Sequence, residues 1–421
     1  MALFLILSLV GLLAFGVPVA FSLWLTGLGA VVFFQVTSLT QIAQSIYSGL
    51  DSFVLLAIPF FILAGNIMLR SGFAKYLFDL MQSLVGGISG GASVGASGAS
   101  AIFGAMTGSS VASAAALGRV MIPVMGTLGY PRQFSAGLMA AGGTLGILIP
   151  PSVTFIIYAE MAQQSVKDLF IAGVLPGLVA AAAIGLVAFM LARRHGYGKR
   201  TEPFSIARVG TTFRRAGPAL LMPAIVLGGI YLGFFTPTEA AAVSVVYGIL
   251  VGVFFYRTIS FGDLPSILVE SARSTGAILF ILSGALFVGM VATLAGIPDT
   301  IVNAINALNL SPIAFLLLVN CVLLVLGCFL DGFTLLTVVT PLLLPTVKAL
   351  GIDPIHFAIV LTLNIEIAAI TPPIGLNLFV IAGISGTSMK EVVVGSVPFV
   401  FALLAVLLLL TFFPAIALAL I

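Results

Sequence analysis

Two Pro-Pro pairs, Pro150-Pro151 and Pro372-Pro373, lie 222 residues apart in stretches that are otherwise apolar. An isolated proline precedes each pair by the same 27 residues, at Pro123 and at Pro345. Proline breaks helices because it lacks a backbone donor, and the core of a bilayer holds no water that could satisfy the freed backbone groups. The repeated pairs therefore predict two interrupted membrane helices at corresponding places in the two halves of the chain.

The composition is that of a polytopic membrane protein. Of the 421 residues, 61% are hydrophobic and 7% are charged, whereas about 25% of the residues of a soluble domain are charged. Because a span needs about 20 apolar residues, the apolar stretches predict ten spans, five in each half. These spans cover residues 1–16, 18–36, 51–70, 132–160, 168–192, 217–234, 237–257, 274–296, 354–384 and 392–420.

An odd number of spans in each half means that the second half enters the membrane in the opposite direction, which is the condition for an inverted-topology repeat. We predict the first repeat over residues 1–192 and the second over 217–421, joined by a basic cytoplasmic linker at 193–216. Lys and Arg collect in short cytoplasmic loops, so both termini are predicted to be periplasmic. The basic residues of the linker are Arg193, Arg194, Lys199, Arg200, Arg208, Arg214 and Arg215.

Two further stretches are too interrupted to cross plainly and predict re-entrant helical hairpins. From Gly86 to Ala116, 25 of 31 residues are Gly, Ala, Ser or Thr, a composition that suits close packing of helices better than contact with lipid. The first hairpin is predicted over 86–125 with its tip near 106–110. The second covers 312–349 with its tip near 327–332. The predicted fold is thus all-α, with two re-entrant hairpins and two broken transmembrane helices.

In each half a hairpin tip would face a Pro-Pro break. Helix ends carry about half a unit charge, positive at the N-terminus and negative at the C-terminus. Carbonyl oxygens of unwound backbone suit a hard cation such as Na⁺, while helix N-termini and hydroxyl groups can hold a carboxylate. The alternative is that the prolines only kink helices and that the small residues only pack.

Two ionisable residues are predicted to lie within the membrane, Asp331 at the second tip and Glu366 just before the second break. A charge at the centre of a bilayer costs roughly 2.5–3.5 kcal/mol on insertion scales, so such residues are candidates for function. Each could be an ion ligand, a proton site or a structural partner of a backbone amide. Glu239, in the sequence Thr-Pro-Thr-Glu, is better explained as part of a helix cap.

Enzyme signatures are weak. The run from Gly91 to Gly98 fits the spacing of serine-hydrolase motifs, but such matches arise by composition in a segment this rich in Gly, Ala and Ser. A partner histidine is missing, since His195 lies in the basic linker and His356 begins a helix. No phosphate-binding loop and no Cys or His cluster with metal spacing occurs. We predict no catalysis, no nucleic-acid partner and no cofactor besides a coupling ion.

Four motifs resemble those of the large membrane subunit of tripartite ATP-independent periplasmic (TRAP) transporters, at residues 104–110, 143–152, 236–242 and 370–375. The resemblance covers essentially the whole chain. It implies the unfused form of an elevator-type carrier that moves an organic anion, such as a C4-dicarboxylate or sialic acid, inward with Na⁺. It also implies a small four-helix membrane subunit, a soluble periplasmic binding protein and a lipid environment in the bacterial inner membrane.

The resemblance also implies which residues form the site. Na⁺ ligands are expected in the first half at Ser109, Ser110, Gly146, Ile149, Pro150 and Ser152. In the second half the resemblance places them at Gly327, Gly332, Thr371 and Ile374, and Asp331 and Glu366 are added as the two ionisable residues predicted within the membrane. Substrate is expected between the two tips, at Thr107, Ser110, Pro151, Thr154, Thr334, Pro373 and Asn377.

Two other transport functions stay open at this point. A stand-alone divalent-anion/sodium symporter has a similar architecture but needs no partner protein. A passive channel would give flux without saturation and without dependence on sodium. Nearly all arginines are predicted at the cytoplasmic edge, and Arg70, Arg119 and Arg132 are the three that could reach inward to a substrate.

Overall fold

The computed structural model describes residues 1–198 and 204–421, and all secondary structure in these ranges is helical. The helices of the first half are α1 (Ala2–Ala14), α2 (Val19–Phe34), α3 (Leu39–Leu50), α4 (Ala57–Arg70), α5 (Phe73–Val85), α6 (Gly91–Thr107), α7 (Ser110–Thr127), α8 (Arg132–Leu148), α9 (Val153–Ala162) and α10 (Val166–His195). Those of the second half are α11 (Ile206–Tyr231), α12 (Pro237–Leu250), α13 (Leu264–Leu294), α14 (Ile297–Ala307), α15 (Pro312–Gly327), α16 (Gly332–Ala349), α17 (Pro354–Ala368), α18 (Leu376–Ser385), α19 (Met389–Phe412) and α20 (Pro414–Leu418).

Helix length and apolarity agree with a polytopic membrane protein. Among the described helices, seven are long and apolar enough to cross a membrane, or up to eight if α4 and α5, which are bent by 67°, form one span. The predicted all-α membrane fold is confirmed. The seven helices include α7 and α16, which belong to the two predicted hairpins, so fewer than the ten predicted spans meet this test. The spans predicted at 1–16 and 18–36 become helices of 13 and 16 residues, because Gly16 has a left-handed backbone and Pro18 starts a new helix.

Both hairpins are helix pairs joined by a short turn. Helices α6 and α7 are separated only by Gly108 and Ser109, and Gly108 takes a left-handed conformation (φ 60°), which glycine adopts without strain. Helices α15 and α16 are separated by residues 328–331. Each helix that follows a turn is capped by a side chain, Ser109 for α7 and Asp331 for α16, which satisfies amides that the helix start leaves free.

Each Pro-Pro pair lies in a gap between two helices. Residues 149–152 separate α8 from α9, and residues 369–375 separate α17 from α18. Both Pro-Pro peptide bonds are cis. The first break is buried, whereas Pro372 and Pro373 are exposed, so the two halves bury their breaks to different extents.

Helix α8 lies at the centre of the fold, and every residue of the apolar window that it shares with α9 is buried. Its glycines touch neighbouring helices directly. A Cβ atom added at Gly143 would lie 2.6 Å from the Cβ of Ala114 on α7, and one at Gly137 would overlap the backbone of Gly395 on α19. The abundance of small residues therefore reflects backbones that approach more closely than larger side chains would allow.

Helix extends into both ends of the linker predicted at 193–216. Helix α10 continues to His195 and helix α11 starts at Ile206, because arginine and alanine favour helix and α-helices do not have to end where an apolar stretch ends. Of the basic residues predicted there, Lys199 and Arg200 lie outside the described residues.

Three short helices were not predicted from the sequence. Helices α3, α5 and α14 are amphipathic and have 11 to 13 residues, so they lack the continuous apolar stretch of a span. The start of α3 does carry a local signal, a capping box formed by Ser38 and Gln41. A second capping box, in which the backbone N–H of Thr236 donates to Glu239 Oε2 at 2.8 Å, confirms the predicted cap at the start of α12.

Candidate functional site

The first hairpin tip packs against the first Pro-Pro break through the backbone. A Cβ atom added at Gly104 would lie 2.9 Å from the amide nitrogen of Gly146, and one at Gly108 would lie 3.0 Å from the carbonyl oxygen of Pro151. At Gly146 an added Cβ would lie 2.8 Å from the carbonyl oxygen of Ser109. Main-chain groups of the tip and of the break therefore lie side by side, without side chains between them.

Hydroxyl groups satisfy part of the polar backbone at this contact. Proline at 151 cannot donate to the carbonyl of Ile147, which a continuous helix would pair with the amide four residues on. The hydroxyl of Ser152 donates to this oxygen instead, at 2.6 Å. On the tip, the hydroxyls of Thr107 and Ser113 are 2.6 Å apart. Such groups are the kind of oxygen that a buried cation requires.

The second hairpin tip is joined to the second break by a main-chain hydrogen bond. The amide of Ile374 donates to the carbonyl oxygen of Cys328 at 3.2 Å. At Gly327, directly before Cys328, an added Cβ atom would lie 2.5 Å from the Cβ of Ala368. The amide of Asn377 donates at 3.0 Å to the carbonyl of Ala369, an oxygen that loses its helical partner because residue 373 is proline.

A buried asparagine connects the two halves. The side-chain Nδ2 of Asn377, on α18, donates to the hydroxyl oxygen of Ser110 at 2.8 Å and to the carbonyl oxygen of Ala140 at 3.0 Å. Asn377 is fully buried, and its Oδ1 atom has no hydrogen-bond partner among the described residues. An unpaired acceptor is thus buried where the second break meets the first hairpin.

A cavity of about 80 Å³ lies between the two tips. This volume has room for several water molecules but is well below the ~300–1,000 Å³ typical of pockets for organic ligands. No arginine of the described chain lines it, and Arg70, which could have reached inward, pairs with Glu270 at 3.2 Å instead. The lining residues are Ser109, Ser110, Val111, Ile147, Thr154, Gly327, Leu330, Asp331, Gly332, Phe333, Ile365, Ala368, Ala369, Ile374, Gly375 and Leu376.

Several helices end at this cavity. Ser110, Gly332 and Leu376 are the first residues of α7, α16 and α18, and Thr154 is the second residue of α9. Helix N-termini carry partial positive charge and present free amides, so their convergence favours an anion without any arginine. Gly327 is the last residue of α15, and this helix C-terminus brings partial negative charge to the cavity.

The structure brings together some of the residues predicted for the site and leaves others aside. Seven of them line the cavity, namely Ser109, Ser110, Thr154, Gly327, Asp331, Gly332 and Ile374. The others adjoin the contacts between tips and breaks or lie behind the cavity wall, namely Thr107, Gly146, Ile149, Pro150, Pro151, Ser152, Thr334, Glu366, Thr371, Pro373 and Asn377.

Asp331 acts as the cap of α16. Its Oδ1 atom accepts from the amides of Phe333 and Thr334 at 3.0 and 3.1 Å, and its Oδ2 atom accepts from the hydroxyl of Thr334. Of the three roles that the sequence leaves open for Asp331, partnership with backbone amides is therefore observed. Because Asp331 also lines the cavity, a second role toward a ligand remains compatible with its position.

Glu366 has different surroundings. It is fully buried in α17, and neither carboxyl oxygen has a hydrogen-bond partner among the described residues. Pairing with a backbone amide, one of the roles that the sequence leaves open, is thus not observed. An unpaired carboxylate is costly to bury, which leaves the ion-ligand and proton-site roles as the hypotheses for Glu366.

Apolar parts of the cavity wall were not predicted. Leu330, Phe333, Ile365 and Leu376 line it, and aliphatic or aromatic residues in an apolar chain give no signal that separates a binding wall from ordinary packing. Gly375 did carry a sequence signal, because it is a glycine that closely follows the second Pro-Pro pair. In the structure it takes a left-handed backbone (φ 44°) at the start of α18.

Comparison with protein families gives a match over nearly the whole chain. Residues 6–416 match the family described as "Tripartite ATP-independent periplasmic transporter, DctM component". The chain is 40% identical over 399 residues to the C4-dicarboxylate TRAP transporter large permease protein DctM of Pseudomonas aeruginosa, covering 95% of this chain and 93% of that one.

A longer relative and a solved structure are also similar. The chain is 36% identical over 404 residues to the isethionate TRAP transporter permease protein DctMQ of Oleidesulfovibrio alaskensis, covering 96% of this chain but only 64% of that protein. The crystal structure of the YdaH transporter of Alcanivorax borkumensis superposes with a TM-score of 0.67, covering 89% of this chain and 88% of that one. At 14% identity, that likeness concerns the fold.

Proposed function

Because the chain belongs to the family of DctM components of TRAP transporters, we propose that it is the transport subunit of a sodium-coupled symporter. It imports a small organic anion, such as a C4-dicarboxylate or sialic acid, across the bacterial inner membrane. A periplasmic binding protein delivers the anion, and a small four-helix membrane subunit completes the complex. The observation that carries this proposal is the convergence of two hairpin tips and two broken helices on one cavity.

Polar groups that line this cavity, or that directly follow a lining residue in sequence, suit both ligands of a symporter. Helix N-termini and the hydroxyls of Ser109, Ser110 and Thr154 supply donors for a carboxylate. Carbonyl oxygens at the breaks, the unpaired Oδ1 of Asn377 and the unpaired carboxyl of Glu366 supply oxygens for Na⁺. Each net charge carried inward gains about 2.3 kcal/mol per 100 mV of membrane potential, so coupling to the ion gradient needs no ATP.

The proposed transport step is a rigid-body movement of the hairpins and broken helices past the other spans. In this proposal the two halves of the chain are related as an inverted repeat. Binding of Na⁺ draws each tip against its break and covers polar backbone that would otherwise meet hydrocarbon. A cavity of about 80 Å³ is too small for an organic acid of this class, so the tips must separate before the substrate enters.

Reconstituted transport tests this proposal. We expect radiolabelled acid to accumulate in proteoliposomes only when the chain is present with its small subunit, the binding protein and an inward sodium gradient. Replacing Na⁺ with choline should remove uptake, since the coupling ion also completes the site. The matched control is the complete complex with equal sodium on both sides, which should exchange substrate without accumulating it.

Uptake by this chain alone would replace the tripartite proposal with the stand-alone divalent-anion/sodium symporter. Flux that neither saturates nor depends on sodium would instead indicate a passive channel. Both outcomes contradict the proposal, and they differ from each other in their dependence on sodium.

Substitutions of Asp331 separate its cap from its charge. Because Asn and Asp cap helices about equally well, whereas Ala costs about 0.5–2 kcal/mol, we expect thermal unfolding of Asp331→Ala at a lower temperature and of Asp331→Asn at a nearly unchanged one. If Asp331 also contacts Na⁺, as proposed, Asp331→Asn should raise the sodium concentration needed for half-maximal uptake. Unchanged sodium dependence in a stable Asp331→Asn protein would leave Asp331 with the cap alone.

A further inference from the structure

A basic pocket lies away from the cavity, where α5, α11 and residues 251–256, which directly follow α12, meet. Lys75 comes from α5, Arg214 and Arg215 come from α11, and the pocket has a volume of about 590 Å³. Asp79 is the one acidic residue in its lining. Three cations against one anion leave the pocket with positive charge.

The cations of this pocket are not neutralised by ion pairs. Across residues 1–198 and 204–421, the one ion pair within 4.0 Å joins Arg70 and Glu270, outside the pocket. Lys75, Arg214 and Arg215 thus have no carboxylate at that distance, and all three are exposed. An anion that entered the pocket would find free donors from two helices.

Aromatic side chains fix the wall of the pocket. The rings of Tyr76 and Tyr256 stack with centroids 4.3 Å apart and planes at 11°. The hydroxyl of Tyr256 donates to the carbonyl oxygen of Arg215 at 2.6 Å. These contacts hold α5, α11 and residues 251–256 together around the basic residues, so the shape of the pocket does not depend on flexible side chains alone.

The pocket lies beside a stretch of the chain that is long enough to span a membrane. Arg214 and Arg215 directly precede residues 216–235, a stretch of 20 residues without charge, which is the length of a span. Phe255, which lines the pocket, and its neighbour Phe254 are about 60% exposed and present apolar surface beside the charged groups. A ligand with a negative head and apolar chains matches this arrangement better than a small inorganic anion does.

We propose that this pocket binds the phosphate headgroup of an anionic phospholipid. Lys75, Arg214 and Arg215 contact the phosphate, and the acyl chains lie against Phe254 and Phe255. Basic pockets between membrane helices are known to suit such headgroups. Helix α5 packs on α11 and also on hairpin helix α6. A lipid bound between α5 and α11 would therefore add a connection between α11 and the helix that supports the first hairpin.

Native mass spectrometry of the full chain, purified in neutral detergent and titrated with phosphatidylglycerol, tests this proposal. Each basic residue near a membrane surface contributes about 1 kcal/mol, so Arg214→Gln/Arg215→Gln should weaken binding of the lipid about thirty-fold. Arg193→Gln/Arg194→Gln is the matched control, because it removes another adjacent and exposed arginine pair that lies outside the pocket. The control should bind phosphatidylglycerol like the parent protein.

Equal losses of phosphatidylglycerol binding in the two double variants would mean that binding depends on total positive charge and not on this pocket. That result would overturn the proposal. Inorganic phosphate is the second probe, and complete displacement of the lipid by equimolar phosphate would overturn it too, since acyl chains would then contribute nothing. Should Arg214→Gln/Arg215→Gln not fold, Lys75→Gln on the opposite wall gives the same test with one charge. The readout is lipid retention, so it is independent of whether the proposed transport function holds.

Discussion

Gly146→Val is expected to lower the initial rate of substrate uptake about five- to 150-fold, because overpacking typically costs about 1–3 kcal/mol. The first carbon of the new side chain would lie 2.8 Å from the carbonyl oxygen of Ser109 and 2.8 Å from the hydroxyl of Ser113. A backbone oxygen cannot turn aside as a flexible side chain can, so the first hairpin tip would have to move away from the first break. The measurement is uptake per amount of membrane-inserted protein in the reconstituted complex.

Gly126→Val provides the matched control. Gly126 is also a helical glycine, on α7, but an added Cβ would meet no atom within 4 Å. Uptake by this variant should stay close to that of the parent protein. If Gly146→Val transports as well as Gly126→Val at equal protein levels, close contact between the first tip and the first break is not required for transport.

Asn377→Ala should lower uptake by about tenfold or more, since leaving buried hydrogen-bonding groups without partners costs about 1–3 kcal/mol. The change removes the donor to Ser110 and the donor to the carbonyl of Ala140, and with them the side-chain link between the second break and the first hairpin. Asn377→Asp should fail as well, because a carboxylate of the same shape has no N–H to donate.

A double-mutant cycle shows whether the link itself is responsible. Ser110→Ala and Asn377→Ala should be non-additive by roughly 0.5–3 kcal/mol when the rates are converted to free energies. Asn66→Ala is the control, because Asn66 donates to the hydroxyl of Ser271 at 2.9 Å in a pair of the same kind that does not line the cavity. Strict additivity of the Ser110 and Asn377 variants would contradict a functional connection between the halves at this point.

The sequence predicts the breaks of this fold more accurately than its helix ends. The paired prolines at 150–151 remove two adjacent backbone donors and so mark the gap between α8 and α9, whereas the single prolines Pro123 and Pro176 lie inside continuous helices. The start of α11 at Ile206 does not follow in this way, because helix continues through the arginines that precede the apolar stretch. Polarity marks where a chain leaves the membrane, whereas hydrogen bonding decides where its helix ends.

Partners across the site are harder to predict than positions along the chain. Ser110 and Asn377 are 267 residues apart in sequence, and no local pattern indicates that they meet. The isolation of Glu366 is equally hidden, since its environment depends on the helices packed around α17 and not on its neighbours in sequence. For Asp331 the position at a helix start was the available signal, and that signal indicates a cap whether or not an ion is also bound.

The hydrogen bond between Ser110 and Asn377 also bears on the order of biosynthesis. The first hairpin is translated long before α18. The hydroxyl of Ser110 therefore lacks its partner Asn377 until synthesis is nearly complete. Helix α8 covers much of the small-residue face of the hairpin, whereas the face of α7 at Gly118, which packs against Ile381 and Ile384 of α18, stays uncovered until then. Two separately expressed halves should consequently acquire protease-resistant tips only when both are present in the same membrane.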